Sequence, residues 1–126
     1  MAPKESRASK IVEYNDNKLW FHKRSNTVTL GITLDALDEI GDVQGINLPS
    51  EGDDFDKDDI VCEIDGDNGA IKVYSPAAGF ITEINSQLAE DPKILNEDPI
   101  DEGWLLKLEM QDSSDLQEFI ADADEE

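Results

Sequence analysis

The chain has 126 residues, of which 31 are acidic, 10 are basic and one is histidine, giving a formal net charge of −21. This length suits one domain, and a hydrophobic content of 38% supplies enough apolar side chains for a core. Because the negative charge would repel a phosphate backbone or an anionic lipid surface, we expect neither a nucleic-acid nor a membrane partner. The single cysteine and single histidine exclude an internal disulfide and a zinc site built from cysteine and histidine ligands.

The N-terminus differs in composition from the rest of the chain. Residues 1–10 (MAPKESRASK) are small, polar and mildly basic, which predicts a disordered tail rather than a secretory signal or a clear transit peptide. Residues 11–126 are predicted to form one domain. A cytoplasmic location is expected, with the mitochondrial matrix as the alternative if the source is eukaryotic.

Short runs of β-branched and aromatic residues, separated by glycine, proline and asparagine, predict a mainly β fold of sandwich or barrel type. Asn68-Gly69 predicts a tight hairpin turn, with Asp65–Gly69 as its exposed tip. The predicted strands are Ile11–Tyr14, Lys18–Lys23, Thr27–Ile32, Val43–Leu48, Ile60–Ile64, Ala70–Tyr74, Gly79–Ile84 and Trp104–Met110.

Three short helices are predicted between or after the strands. Thr33 is placed to cap the first helix, which would end at Gly41. Asn85 is placed to cap the second, which would end before Pro92. The third, over residues 114–126, begins with a capping-box spacing. Its apolar face has helical spacing and consists of Leu116, Phe119, Ile120 and Ala123.

Two acidic stretches carry enough carboxylates to be considered as metal sites. Glu51–Asp59 has the charge but lacks the ligand spacing of a calcium loop, and Asp65–Gly69 has glycine at the third ligand position. Both are interpreted as solvated acidic loops. An acidic metal-ion-binding module is the alternative.

The sequence contains no convincing catalytic constellation, and we predict no enzyme activity and no catalytic or metal-ligating residue. His22 lies in a predicted strand without a nearby nucleophile, which favours a surface histidine over a general base. Cys62 lies between Val61 and Glu63, where a small apolar strand residue is favoured over a reactive thiolate, since no basic side chain is near in sequence.

Several separated motifs share an order and spacing that resemble the H protein of the glycine cleavage system, without gaps from Tyr14 to Leu108. The motifs are Tyr14 with Trp20, Thr29–Thr33, Gly41–Val43, Leu48-Pro49, Tyr74-Ser75-Pro76, Glu83–Asn85, Leu95–Pro99 and Gly103–Leu105. The resemblance implies the lipoyl-domain fold, a barrel-sandwich of two small β-sheets with short helices and a C-terminal helix.

The resemblance also implies a carrier rather than an enzyme. In that family a lysine at a hairpin tip bears lipoate through an amide bond. The dihydrolipoyl arm takes an aminomethyl group from a pyridoxal-phosphate glycine decarboxylase and presents it to an aminomethyltransferase, after which dihydrolipoyl dehydrogenase reoxidises the dithiol. The implied partners are these three enzymes or a lipoate-attaching enzyme.

The chain departs from the family pattern at this tip. The family hairpin Glu-Ser-Val-Lys-Ala aligns with Asp65–Gly69, so Asn68 stands at the lipoyl-lysine position, where its amide cannot be acylated. Lys72 lies four residues further on, ~13 Å along the strand, and is interpreted as a strand-surface lysine.

We therefore expect no lipoate on this chain. The sequence predicts an H-protein-like interaction module related to glycine cleavage or lipoate metabolism. The alternative is an aminomethyl carrier with lipoate on Lys72. Grafting Glu-Ser-Val-Lys onto residues 65–68 is expected to restore a better lipoylation site than Asn68→Lys alone.

Overall fold

The computed structural model describes residues 11–14, 18–24, 26–100 and 102–111. The predicted N-terminal tail (1–10) and C-terminal helix (114–126) lie outside the described residues. The domain limits therefore stay a prediction.

Nine strands and three short helices are present among the described residues. One sheet has six strands in the order β1-β2-β3-β9-β8-β5, and the other has three in the order β4-β6-β7. The predicted mainly β, two-sheet class is confirmed. The strands are β1 (Val12–Tyr14), β2 (Leu19–Arg24), β3 (Thr27–Ile32), β4 (Val43–Asn47), β5 (Asp54–Phe55), β6 (Ile60–Gly66), β7 (Gly69–Tyr74), β8 (Gly79–Ile84) and β9 (Leu106–Met110), and the helices are α1 (Leu34–Ile40), α2 (Ser86–Glu90) and α3 (Ile94–Glu97).

Two elements were absent from the sequence prediction. β5 lies inside the predicted acidic loop and pairs with β8 through Asp54 with Phe80 and Phe55 with Gly79. A two-residue strand has no period from which it could be recognised. The helix α3 begins one residue before the Leu95–Pro99 motif, overlaps it and is a single turn.

The core forms between the inner faces of the two sheets. Successive strand side chains alternate between faces, and Leu19 and Phe21 on one face of β2 belong to the core. The largest fully buried side chains include Trp20, Phe21, Leu30, Ile64, Ile81 and Leu106. Trp20 is on the outward side of β2, yet it is fully buried, and its indole nitrogen donates to the Pro99 carbonyl at 3.3 Å.

The helix α1 begins and ends where the sequence predicts. The Thr33 hydroxyl accepts a hydrogen bond from the Ala36 amide at 3.3 Å, and Gly41 follows the helix with a φ of 80°. Asn85 precedes α2 as predicted but makes no side-chain cap. Its amide nitrogen donates instead to the carbonyls of Glu102 and Trp104, at 2.9 and 2.8 Å.

Candidate functional site

The β6–β7 hairpin places Asn68 at its tip. Gly66 pairs with Gly69, which leaves Asp67 and Asn68 as the two residues of the turn. Asp65, Asp67, Asn68 and Gly69 are all exposed, so the predicted exposed hairpin is confirmed. Its central residues are one position earlier than the Asn68-Gly69 pair expected from the sequence.

Four hydrogen bonds join the tip to the end of α1 and to Asp42 just after it. The backbone amides of Asn68 and Asp67 donate to the carbonyls of Ile40 and Asp42, at 2.8 and 2.9 Å. The Asp67 carboxylate accepts from the Asp42 amide at 3.1 Å, and the Asn68 side-chain amide donates to the Glu39 carbonyl at 3.3 Å. Because the last carbonyls of a helix lack intrahelical partners, the tip satisfies groups that α1 leaves open.

Two glycines allow this close approach. A Cβ atom on Gly66 would overlap the carbonyl oxygen of Ile40, which belongs to the backbone and cannot move aside alone. Gly41 has a φ of 80°, and a Cβ there would overlap the Asp67 carboxylate. The hairpin tip and the helix end therefore fit only with glycine at both positions.

Asn96 on α3 binds the segment after α1 from a second element. Its side-chain oxygen accepts from the Val43 amide at 2.8 Å, and its side-chain nitrogen donates to the Gly41 carbonyl at 3.2 Å. The connection between α1 and β4 is thus bound by Asn96 from α3 and by Asp67 from the hairpin tip.

Other motif residues also contact one another. The Tyr14 hydroxyl donates to the Tyr74 carbonyl at 2.6 Å, and Trp20 and Asn85 bond to Pro99 and Trp104 as described above. Sequence reasoning identified these motifs but not their contacts. A polar or aromatic residue at a buried position was the available signal, since such a group requires a hydrogen-bond partner.

Lys72 is remote from the turn along the strand. It is exposed in the body of β7, and its cross-strand neighbour is Glu63 on β6. Between Lys72 and the Gly66–Gly69 pair lie the pairs Ile64 with Ile71 and Asp65 with Ala70. The structure therefore does not bring Lys72 to the hairpin tip.

Known proteins similar to this chain belong to the family that the motifs resemble. The family model described as "Glycine cleavage H-protein" matches residues 12–126. The chain belongs to the glycine cleavage H-protein family. The glycine cleavage system H protein of Thermotoga maritima is 34% identical over 111 residues, covering 88% of this chain and 90% of that protein. That of Dinoroseobacter shibae is 36% identical over 107 residues, covering 85% and 88%.

A solved structure supports the fold. A crystal structure of a glycine cleavage system H protein from Mycobacterium marinum aligns with a TM-score of 0.74 and 22% identity, covering 86% of this chain and 95% of that one. The barrel-sandwich architecture implied by the resemblance is therefore confirmed.

The remaining candidate residues of this H-protein-family chain are placed as follows. Cys62 is buried, and burial, with a smaller effect of Glu63, raises the pKa of its thiol to about 12. Burial, followed by the charge of Asp58, raises the pKa of Tyr14 above its usual range. The Cys62 thiol, which burial keeps protonated, is therefore a poor nucleophile.

His22 and the acidic side chains were the other candidates. His22 lines an open pocket with Arg24, Thr27, Thr29 and Lys107. Within the described ranges, no group of three or more His, Cys, Asp or Glu side chains could hold a metal ion. In the same part of the chain, no helix is long and apolar enough to cross a membrane.

Proposed function

We propose that this chain is an H-protein-family scaffold without a lipoyl arm, acting as a protein-interaction module in glycine cleavage or lipoate metabolism. The observation that carries the proposal is the identity and the bonding of the tip residue. The motif register aligns Asn68 with the family's lipoyl lysine. Its side-chain amide donates to the Glu39 carbonyl at 3.3 Å.

The residues at the tip do not fit lipoate. Amide attachment requires a nucleophilic amine, and the nitrogen of an Asn side chain is a hydrogen-bond donor without a basic lone pair. The two turn residues are Asp67 and Asn68, and neither supplies an amine. Lys72 has one, but it lies in a strand body opposite Glu63, where a modifying enzyme would have to bind the flank of the sheet.

The body of the domain supports a role in protein contacts. Motif residues far apart in sequence bond to one another, as Tyr14 does with Tyr74 and Asn96 with Gly41. These contacts preserve the family architecture without the arm. Glycine cleavage H proteins are carriers rather than catalysts, so their surfaces serve recognition by glycine decarboxylase, aminomethyltransferase, dihydrolipoyl dehydrogenase or a lipoate-attaching enzyme. We propose that this chain binds one of these partners.

Intact-protein mass tests the missing arm. The wild-type chain, Asn68→Lys and Lys72→Gln are incubated with a lipoate ligase, lipoate and ATP, beside an H protein that retains the lysine as positive control. We expect the wild type and Lys72→Gln to stay unmodified, and Asn68→Lys to be modified incompletely because Asp65 and Asp67 flank the new amine. A lipoyl adduct on the wild type would overturn the proposal, and its loss in Lys72→Gln would establish the carrier alternative.

Competition tests the interaction role. The purified chain is added in increasing amounts to a reconstituted glycine cleavage reaction that contains a lipoylated H protein at limiting concentration. Binding of a shared partner predicts a lower rate that a higher concentration of lipoylated H protein restores. No inhibition, and no binding to any of the four proposed partners in a direct assay, would contradict this role.

A further inference from the structure

The outer face of the six-stranded sheet contains a pocket lined by basic and polar side chains, in contrast to the acidic composition of the chain as a whole. Strand pairing places His22 opposite Thr29 and Thr29 opposite Lys107, which forms one row across β2, β3 and β9. Arg24 lies opposite Thr27 in the next row on the same face. These five side chains line an open pocket of about 240 Å³.

The lining is basic in a strongly acidic protein. It includes two of the ten Lys and Arg residues, Arg24 and Lys107, together with the one histidine, and no Asp or Glu. On this face, Glu109 lies opposite Thr27, and the Glu83 carboxylate lies 3.5 Å from the Lys107 ammonium. Both acids are outside the lining.

Lys107 is positioned by contacts with two other side chains. Its ammonium lies 5.1 Å from the centroid of the Trp104 ring and 3.5 Å from the Glu83 carboxylate. A long lysine side chain that is held in this way loses less freedom when it binds an anion. Lys107 is therefore better ordered than a freely rotating surface lysine, and a bound anion would share its ammonium with Glu83.

Thr29 provides the second observation. The residue is only 5% exposed and lines the pocket, yet among the described residues no hydrogen bond to its hydroxyl is found. Buried hydroxyl groups normally have a partner. A pocket whose floor offers an unpartnered hydroxyl between two cationic side chains is suited to a ligand that accepts hydrogen bonds.

We propose that this pocket binds a small phosphate-bearing anion. Arg24 and Lys107 supply charge-assisted donors to the phosphate oxygens, the Thr29 hydroxyl donates from the floor, and His22 closes the side of the pocket on β2. The volume leaves room for a small organic group beside the phosphate. The site is separate from the hairpin tip and does not depend on whether that tip carries lipoate.

The overall charge restricts the ligand to a small one. At physiological ionic strength the Debye length is about 8 Å, so acidic groups beyond that distance act weakly on an anion inside the pocket. A polyanion such as nucleic acid would extend over the acidic surface and meet strong repulsion. The proposal is therefore compatible with the exclusion of nucleic acid drawn from the net charge.

Titration by two-dimensional amide NMR at constant ionic strength tests the site. The probes are inorganic phosphate and glycerol 3-phosphate, with acetate as the comparison carboxylate. We expect saturable shifts at His22, Thr29 and Lys107 with either phosphate, and weaker binding of acetate. Saturation by glycerol 3-phosphate alone would identify an esterified phosphate as the ligand, and saturation by neither would overturn the proposal.

Variants separate this site from general anion attraction. Arg24→Gln and Lys107→Gln are each expected to raise the dissociation constant at least fivefold, and Thr29→Val, which keeps the side-chain shape, at least twofold. Lys72→Gln on the other sheet is the matched control and should leave it unchanged. Equal weakening by Lys72→Gln, or unchanged affinity in Arg24→Gln with native amide dispersion, would contradict a specific site.

Discussion

The side-chain amide of Asn68 donates a hydrogen bond to the backbone carbonyl of Glu39, 3.3 Å away and 29 residues earlier in the sequence. It occupies the end of α1, where a helix exposes unsatisfied carbonyls and the negative end of its dipole. A neutral hydrogen-bond donor such as the Asn68 amide is favourable at the end of α1. The hairpin tip is thus a structural partner of the helix.

Replacing Asn68 tests this contact. Asn68→Ala is expected to lower the free energy of unfolding by about 0.5–1.5 kcal/mol, the usual net value of one hydrogen bond. Asn68→Asp should lower it by a further ~0.3–1 kcal/mol, because a carboxylate at a helix C-terminus is unfavourable. Urea unfolding measures both.

Asn47→Ala is the control for these variants, since Asn47 is an exposed asparagine on β4 whose side chain makes no hydrogen bond within the described ranges. It should change stability little. If Asn68→Asp proved as stable as the wild type, Asn68 would not stabilise the helix end.

The glycine at position 66 constrains any attempt to rebuild a lipoylation site. Because a Cβ there would overlap the Ile40 carbonyl oxygen, Gly66→Ala is expected to cost about 1–3 kcal/mol, the usual range for overpacking. Gly45→Ala is the matched control on β4, since nothing lies within 4 Å of its Cβ position. Urea unfolding distinguishes the two, and equal stability of both variants would show that the tip can move away from α1 freely.

The same contact changes the expectation for the graft. Glu-Ser-Val-Lys at residues 65–68 places serine at position 66 and should separate the tip from α1. A variant that keeps Gly66 and combines Asp65→Glu, Asp67→Val and Asn68→Lys is expected to be the more stable of the two. Comparing their unfolding midpoints and their extents of lipoylation measures the stability and the modification separately.

Much of the fold could be predicted because its signals are local. The cap at Thr33 and the end of α1 at Gly41 depend on neighbouring residues, and both were confirmed. The strand β5 within the acidic Glu51–Asp59 stretch could not be predicted, because the two residues of β5 pair only with β8, which is distant in sequence. The position of Asn85 predicted a helix cap, but in the folded chain its side-chain nitrogen donates to the carbonyls of Glu102 and Trp104.

The candidate site could be predicted in position but not in bonding. The motif register placed Asn68 at a hairpin tip, and the hairpin followed from turn chemistry. Its contact with Glu39 depends on how α1 docks against the second sheet, which no local pattern encodes. The same holds for the pocket, where His22, Thr29 and Lys107 come together only through strand pairing.

Burial of Cys62 predicts a loss of stability in alkali. Its pKa is raised to about 12 in the folded state and returns to about 8.5 in the unfolded chain. The stabilisation of the folded state by the protonated Cys62 thiol is therefore full below the unfolded pKa. It is lost as pH rises toward 12, because the unfolded state releases the proton first. Tyr14, whose pKa is also raised, adds to the loss above its unfolded pKa.

The unfolding midpoint in urea is measured between pH 8 and 11 for the wild type and Cys62→Ala. The wild type should lose stability more steeply than the variant, which keeps the contribution of Tyr14 but not that of Cys62. Cys62 should also resist a thiol reagent in the folded protein and react in urea. Parallel pH profiles, together with rapid reaction of the native thiol, would contradict the burial of this side chain.

The two tryptophans should report different environments. Trp20 is fully buried and bonded to the Pro99 carbonyl at 3.3 Å, whereas Trp104 is partly exposed beside Lys107. Trp104→Phe, which leaves Trp20 alone, should therefore keep blue-shifted emission that is poorly quenched by iodide. Trp20→Phe should leave red-shifted, quenchable emission and cost about 1–3 kcal/mol, since the hydrogen bond and part of the ring volume are lost. Identical spectra from the two variants would mean that the indole of Trp20 is not enclosed and that the motif pairing of Trp20 with Pro99 does not hold in solution.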